Sequence, residues 1–318
     1  MAAPGRHISD NPSCKCPPEE RGVFGRNPSG GSDPASGKVT GDSRNLVKGW
    51  QRSVMKLAIV GKGGAGKTTL AALLARRAVS QGHSVVAVDA DPDGNLASAL
   101  GTPPDALPQP IAGMRDLILE RTDARAAGGG WLFRLNPRVD DLPERFSVMC
   151  RGVRLLVLGT VEGGGAGCLC PAATVLKALM QHLLLQVEDD VILDMEAGLE
   201  HVGRASARGV DAMLAVVEPG LRSVQTAIRI KGLAEQIGIQ RVLVAANQIR
   251  ARREEVLLRE AMPGLTFLGA LPFSPGLARA DLEGRAVEEA EPALAEAVAR
   301  VAEALKEHLA EKIPAAGG

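Results

Sequence analysis

Gly61-Lys62-Gly63-Gly64-Ala65-Gly66-Lys67-Thr68-Thr69 is the stretch from which the fold is read. An apolar run, Leu57-Ala58-Ile59-Val60, precedes it, and a helix-forming run, Leu70-Ala71-Ala72-Leu73-Leu74-Ala75, follows. Strand, glycine loop and helix in that order are the setting of a phosphate-binding P-loop. The glycines let the backbone curl until its N–H groups face a phosphate chain, and the helix start adds its positive dipole end. Lys67 places a cation on the β- and γ-phosphates, and Thr68 offers a hydroxyl to Mg²⁺.

Outward from this loop the chain alternates strand and helix. Strands are expected at 56–60, 84–88, 153–158, 191–194, 211–217, 241–246 and 265–271, with a shorter one at 131–135. Helices are expected at about 67–81, ending at Gly82, and at 115–125, 172–187, 223–237 and 292–312. Pro171 takes the favoured first position of the helix it opens. Strands separated by helices imply βαβ units: an α/β, three-layer P-loop fold with a mostly parallel sheet and helices on both faces. Ligands then bind beyond the carboxyl ends of the strands. Residues 55–318 read as one such domain. Residues 1–54 carry Gly, Pro, Ser and charge with no apolar period, and are expected to be a disordered extension or sequence upstream of a start at Met55.

Composition narrows the function. Lys plus Arg equals Asp plus Glu at 37 each, so no basic nucleic-acid footprint is visible. Five Phe, two Trp and no Tyr leave few aromatic platforms for bases. No run of about 18 apolar residues spans a membrane. Five cysteines, an odd number with no apolar leader, point to reduced thiols and a cytoplasmic protein.

Strand-end acids complete the phosphate chemistry. Val191-Ile192-Leu193-Asp194 has the Walker B form, an apolar strand ending in a carboxylate near Mg²⁺. Val88-Asp89-Ala90-Asp91-Pro92 ends another strand with two carboxylates that can orient water or meet the Mg²⁺ shell. Lys62, directly after the first glycine, is not required by an ordinary P-loop. It resembles the deviant Walker A family of partition and septum-site ATPases, arsenite-efflux ATPases, the nitrogenase iron protein and metallocentre maturation ATPases. That resemblance implies a homodimer in which Lys62 reaches the partner's nucleotide. It implies Asp91 serving the attacking water, Asp89 near the magnesium, and a switch II in Asp194-Met195-Glu196-Ala197-Gly198. Glu196 stands where the family often has glycine. The family reads adenine with an Asn, here Asn247, and near a proline, here Pro272-Phe273. An Asn amide suits adenine as both donor and acceptor, and the N-K-x-D run of guanine readers is absent, so ATP is favoured over GTP.

Cys168-Leu169-Cys170 follows the glycine loop 163–167. Two residues apart in extended chain, both sulfurs lie on one side. Cys170 stands just before a helix, where the dipole favours a negative sulfur. Two thiolates are too few for a closed site, whereas two protomers supply four. Ligand softness allows Ni²⁺, Zn²⁺, Cu⁺ or iron–sulfur. With Lys-Leu-Ala-Ile-Val-Gly-Lys-Gly-Gly-Ala-Gly-Lys-Thr-Thr, Val-Asp-Ala-Asp-Pro-Asp, Asp-Met-Glu-Ala-Gly-Leu-Glu-His, Ala-Val-Val-Glu-Pro and Leu-Pro-Phe, the C-x-C resembles CooC-type ATPases that mature nickel carbon monoxide dehydrogenase. The likeness spans about residues 55–306. It implies ATP hydrolysis, dimerisation promoted by ATP and metal, nickel (or zinc) on Cys168 and Cys170, and carbon monoxide dehydrogenase as client. The alternatives are a positioning ATPase of the partition or septum type and an iron–sulfur ATP-dependent reductase. The first needs a basic face or membrane helix, but the acidic helix near the C-terminus reads as a packing helix.

Overall fold

The computed structural model describes residues 54–127, 130–160, 170–196, 207–287 and 292–310, all within the compact unit Arg52–Gly318. Eight strands form one sheet in the order β10-β9-β8-β1-β7-β2-β6-β5. They are β1 (Lys56–Gly61), β2 (Val85–Asp89), β5 (Val148–Cys150), β6 (Val153–Val157), β7 (Asp190–Asp194), β8 (Ala212–Val217), β9 (Val242–Ile249) and β10 (Thr266–Pro272). All neighbours pair in parallel except β5 and β6, which form an antiparallel edge. Two further strands, β3 (Arg125–Ala127) and β4 (Gly130–Leu132), make a small antiparallel pair.

The helices are α1 (Lys67–Ser80), α2 (Leu96–Ala99), α3 (Arg115–Thr122), α4 (Leu142–Phe146), α5 (Pro171–Leu185), α6 (Leu221–Ile237), α7 (Arg252–Ala261), α8 (Pro275–Leu282) and α9 (Pro292–Ala310). The central strands are apolar at consecutive positions because both faces are covered. In β1, Leu57 and Ile59 join the core under α1, α2 and α9, while Ala58 and Val60 join the core under α3, α5, α6 and α7. α9 contributes Leu294, Val298, Val301 and Leu305 to the first of these cores, so it is a packing helix as its acidic face suggests. No helix among the described residues is long and apolar enough to cross a membrane.

The expected strands and helices fall within a few residues of those observed. The expected strand at 131–135 is shorter, Gly130–Leu132, and pairs with an unanticipated partner, Arg125–Ala127. The helix expected to reach Arg125 stops at Thr122, where Asp123 turns left-handed at φ +49°. Four helices, α2, α4, α7 and α8, and the edge strand β5 were not anticipated. α7 buries only Leu258, so its apolar stripe is one residue wide. Its start is set instead by Glu254, whose carboxylate accepts from the N–H of Arg250 at 2.7 Å and of Ala251 at 3.4 Å.

The far end of the sheet is locked by charge. Lys56 is buried, and its ammonium donates to the carbonyls of Leu183 (3.2 Å), Val187 (2.6 Å) and Asp189 (2.8 Å). Burial lowers its pKa, opposed by Asp189, Asp190 and Asp211. Asp190 accepts from the Met55 N–H at 2.8 Å and meets His83 Nδ1 at 2.7 Å. These contacts fix where β1 enters the sheet, and therefore where its glycine loop leaves.

Candidate functional site: a phosphate cleft at the strand ends

β1 delivers the glycine loop between β7 and β8, at the carboxyl edge of the sheet. A Cβ on Gly61 would lie 2.5 Å from the Val216 carbonyl oxygen, so the loop can leave β1 this closely only without a side chain. Gly66 turns at φ +91° and hands the chain to α1, its carbonyl accepting from the Leu70 N–H at 3.0 Å. The Ala65 N–H closes a turn on the Lys62 carbonyl at 3.2 Å. The cleft that results, about 670 Å³, is lined by Gly61, Gly63, Gly64, Gly66, Lys67, Thr68, Thr69 and Asp91 among the residues expected from sequence. Asp93, Asn95 and Glu196 line it too, with an apolar wall of Ala99, Leu277, Ala278 and Val287. Lys67 is buried and lies 3.4 Å from Asp91 Oδ2.

Asp89 and Asp194 end neighbouring strands in direct register and are both fully buried. Their roles separate by hydrogen bonding. Asp89 accepts from the Leu96 N–H at 2.9 Å and the Asp91 N–H at 3.3 Å, so it shapes the loop that carries Asp91. Burial still raises its pKa to about 6. Neither oxygen of Asp194 has a hydrogen-bond partner. Burial, with Asp89 and Asp91 adding to it, raises its pKa to about 7. The nearby Thr68 hydroxyl opposes this without reaching hydrogen-bond geometry, and so does Lys67.

A buried carboxylate with both oxygens free, beside a P-loop threonine, fits Mg²⁺. Among the described residues no group of three or more His, Cys, Asp or Glu could hold a metal by itself. Mg²⁺ does not need one, because it takes one or two protein ligands and completes its shell with phosphate oxygens and water. Asp194 and Thr68 suit those positions. The part expected of Asp89 would fall to whatever acceptor capacity its two backbone hydrogen bonds leave.

Lys62 pairs with Glu218 at 2.7 Å, just beyond the end of β8. The Glu218 backbone N–H is in turn held by Ser223 Oγ at 3.1 Å. Asn247, expected at the adenine, is buried behind the loop and donates its amide to the Ala65 carbonyl at 2.9 Å. Pro272 lies outside the phosphate cleft, beside a second hollow of about 340 Å³ that Arg250 also lines. Phe273 follows it, half exposed, with the Arg250 guanidinium 4.2 Å over its ring. Glu218 and Gln248 were not singled out from sequence. Glu218 had a signal, an acid closing the strand in Ala-Val-Val-Glu-Pro; Gln248 had none beyond following Asn247.

Cys170 is the N-cap of α5, its sulfur accepting from the Ala173 N–H at 3.4 Å. Cys168, Gly198 and the tail cysteines Cys14 and Cys16 lie outside the described residues. Cys150 is buried in the core, where its sulfur accepts from Thr102 Oγ1 at 3.1 Å and its thiol donates to the Leu100 carbonyl at 3.4 Å.

The chain resembles known proteins closely enough to show its family. Residues 57–287 match the model of the CobQ/CobB/MinD/ParA nucleotide binding domain. The chain is 42% identical over 241 residues to the carbon monoxide dehydrogenase accessory protein CooC of Rhodospirillum rubrum, covering 75% of this chain and 91% of that one. It is 41% identical over 236 residues to an uncharacterized ATP-binding protein of Methanocaldococcus jannaschii, covering 73% and 91%. The septum site-determining protein MinD of Pyrococcus horikoshii, solved with Mg-ADP, superposes with a TM-score of 0.57 at 20% identity, covering 82% of this chain and 100% of that one. The chain is thus an ATPase and belongs to the CobQ/CobB/MinD/ParA nucleotide-binding family.

Proposed function

We propose that this ATPase is a nickel chaperone for carbon monoxide dehydrogenase, working as a homodimer that closes around ATP and grips metal between its protomers. The observation that carries the proposal is Cys170 at the N-terminus of α5, with its sulfur turned back onto the first helical turn. A helix start stabilises a negative sulfur there, and negative sulfur is what binds a soft divalent cation. Cys168 and Cys170 from two protomers give the four thiolates that a closed site needs. The likeness to CooC, named for its accessory role to that dehydrogenase, supports the client.

In this reading Lys67 and the loop N–H groups hold the triphosphate. Asp194 and Thr68 hold Mg²⁺, which when bound draws charge from the β- and γ-phosphate oxygens. Asp91 leaves Lys67 to orient the attacking water once phosphate takes its place on the ammonium. Lys62 leaves Glu218 for the partner's nucleotide, a cation that arrives only on assembly, as an arginine finger does. Asn247 faces the base with its amide oxygen, and Pro272-Phe273 flanks it. ATP and nickel then favour the same closed dimer, so each tightens the other's binding, and hydrolysis releases metal.

Equilibrium dialysis against Ni²⁺ and Zn²⁺, with and without ATP, tests the proposal. About one metal per two chains is expected, lost in Cys168→Ser and Cys170→Ser while ATP binding persists. Undiminished metal in both variants, or a protein that stays monomeric with ATP and nickel present, would overturn it.

A further inference from the structure

We infer that Gln248 is a positioning residue for nucleotide binding: with Asn247 it clamps the phosphate loop in its binding shape through a bulge at the end of β9. The inference rests on ATP binding at this loop. Successive side chains of a strand point to opposite faces. Asn247 and Gln248 are successive, yet both reach the same loop. The Asn247 amide donates to the Ala65 carbonyl and the Gln248 amide to the Gly64 carbonyl, each at 2.9 Å. Two neighbours in strand thus hold two neighbours in loop.

The backbone shows how. Ala270 pairs with Ala246, but Pro272 pairs with Ile249, so β9 carries one extra residue across this step. Gln248 lies in that interval and adopts φ +61°. Residues with side chains avoid this conformation unless their surroundings over-determine it, and bulges beside active sites commonly serve to re-aim a side chain. Among the described non-glycine residues only Asp123 and Arg151 share a positive φ, and neither lies in a strand. The orientation of both amides is unambiguous, because a carbonyl only accepts and each amide nitrogen must therefore face it.

The held carbonyls decide where loop N–H groups point. A trans peptide is planar, so its N–H points opposite to its C=O. Anchoring the Ala65 carbonyl aims the Gly66 N–H away from Asn247. Anchoring the Gly64 carbonyl fixes the plane that carries the Ala65 N–H, which closes the turn on Lys62. A loop preset in this way spends less binding free energy on ordering when phosphate arrives.

Two variants separate positioning from architecture. Gln248→Gly removes the amide and accepts φ +61° without strain. Gln248→Glu keeps the shape but has no donor for the Gly64 carbonyl at neutral pH. Both are expected to weaken Mg-ATP and Mg-ADP binding by roughly fivefold to tenfold, the loss of one preorganising hydrogen bond. The turnover number at saturation stays within about twofold, and Gln248→Gly keeps the melting temperature of the unliganded protein, as removal of uniform binding predicts. Dissociation constants by calorimetry and turnover by phosphate release read these out. Nucleotide binding within twofold of the parent in both variants, or a lower melting temperature with unchanged binding, overturns the inference. A parent chain that itself binds no Mg-ATP would instead remove the nucleotide reading beneath it.

Discussion

Replacing Asp194 with asparagine should make the nucleotide-free protein more stable at alkaline pH while abolishing its Mg²⁺-dependent nucleotide binding. The side chain is fully buried, neither oxygen has a hydrogen-bond partner, and its pKa is raised from 3.8 to about 7. A carboxyl raised on folding binds more protons folded than unfolded across that interval. Stability is therefore full below the unfolded value and is lost as pH climbs toward 7. Between pH 5 and 8 the folded group gives up its proton over about two pH units, worth about 3 kcal/mol at 1.36 kcal/mol per unit. Asparagine has no such slope, although its own unpartnered amide costs about 1–3 kcal/mol at every pH. The diagnostic quantity is hence the change in the difference between variant and parent. From pH 5 to pH 8 it should move by about 3 kcal/mol in favour of Asp194→Asn, or roughly 6–12 °C in melting temperature. Calorimetry in chelator at both pH values measures it, and titration with Mg-ATP follows the lost function. A variant whose difference from the parent does not change with pH would refute the claim that Asp194 is a buried anion waiting for a cation.

Two further changes test the frame around the cleft. Gly66→Ala places a methyl against the Asn247 amide at a backbone angle of +91°, so ATP affinity should fall at least tenfold and stability by about 1–2 kcal/mol or more, by calorimetry and urea unfolding. Lys56→Met strips the Leu183, Val187 and Asp189 carbonyls of their shared donor, which should cost about 2–4 kcal/mol in urea unfolding while leaving the turnover number of the folded protein unchanged, since Lys56 opens β1 and the loop closes it.

Much of this could be read from sequence because chemistry in an open parallel sheet sits where strands stop. The continuous apolar runs before Gly61, Asp89 and Asp194 mark buried strands, and the residue that ends each run stands at the carboxyl edge of the sheet, where the glycine loop leaves. Side chains whose role depends on the path of another segment were not legible. The sequence offers Asn247 to a base with both donor and acceptor; that its donor holds the Ala65 carbonyl, leaving only the amide oxygen for a base, depends on the path of the loop. Gln248 gave no hint of its turn, because a bulge is a relation between two strands and has no period of its own. The three-residue strands β3 and β5 are too short to show alternation. The signal for α7 in the sequence is Glu254, three residues past Ala251, a cap that outweighs its narrow apolar stripe.

The charges around the cleft explain why one phosphate loop should carry two lysines. Each lysine already has an anion: Lys67 has Asp91 at 3.4 Å, and Lys62 has Glu218 at 2.7 Å. Asp93 and Glu196 line the same cleft, and Asp89 and Asp194 end the strands beneath it. A triphosphate adds several more negative charges to a space whose own cations are already matched. Mg²⁺ held on Asp194 would remove part of that excess. Lys62, paired at the rim with Glu218, is the other cation of the loop, and in the proposed dimer it would move onto the partner's phosphates. Glu218 then acts as the resting partner that keeps Lys62 near its work without an unpaired charge. Exchange of Lys62 between two identical copies leaves the total charge of each unchanged, so its effect in the proposed dimer would be to make that cation available only on assembly.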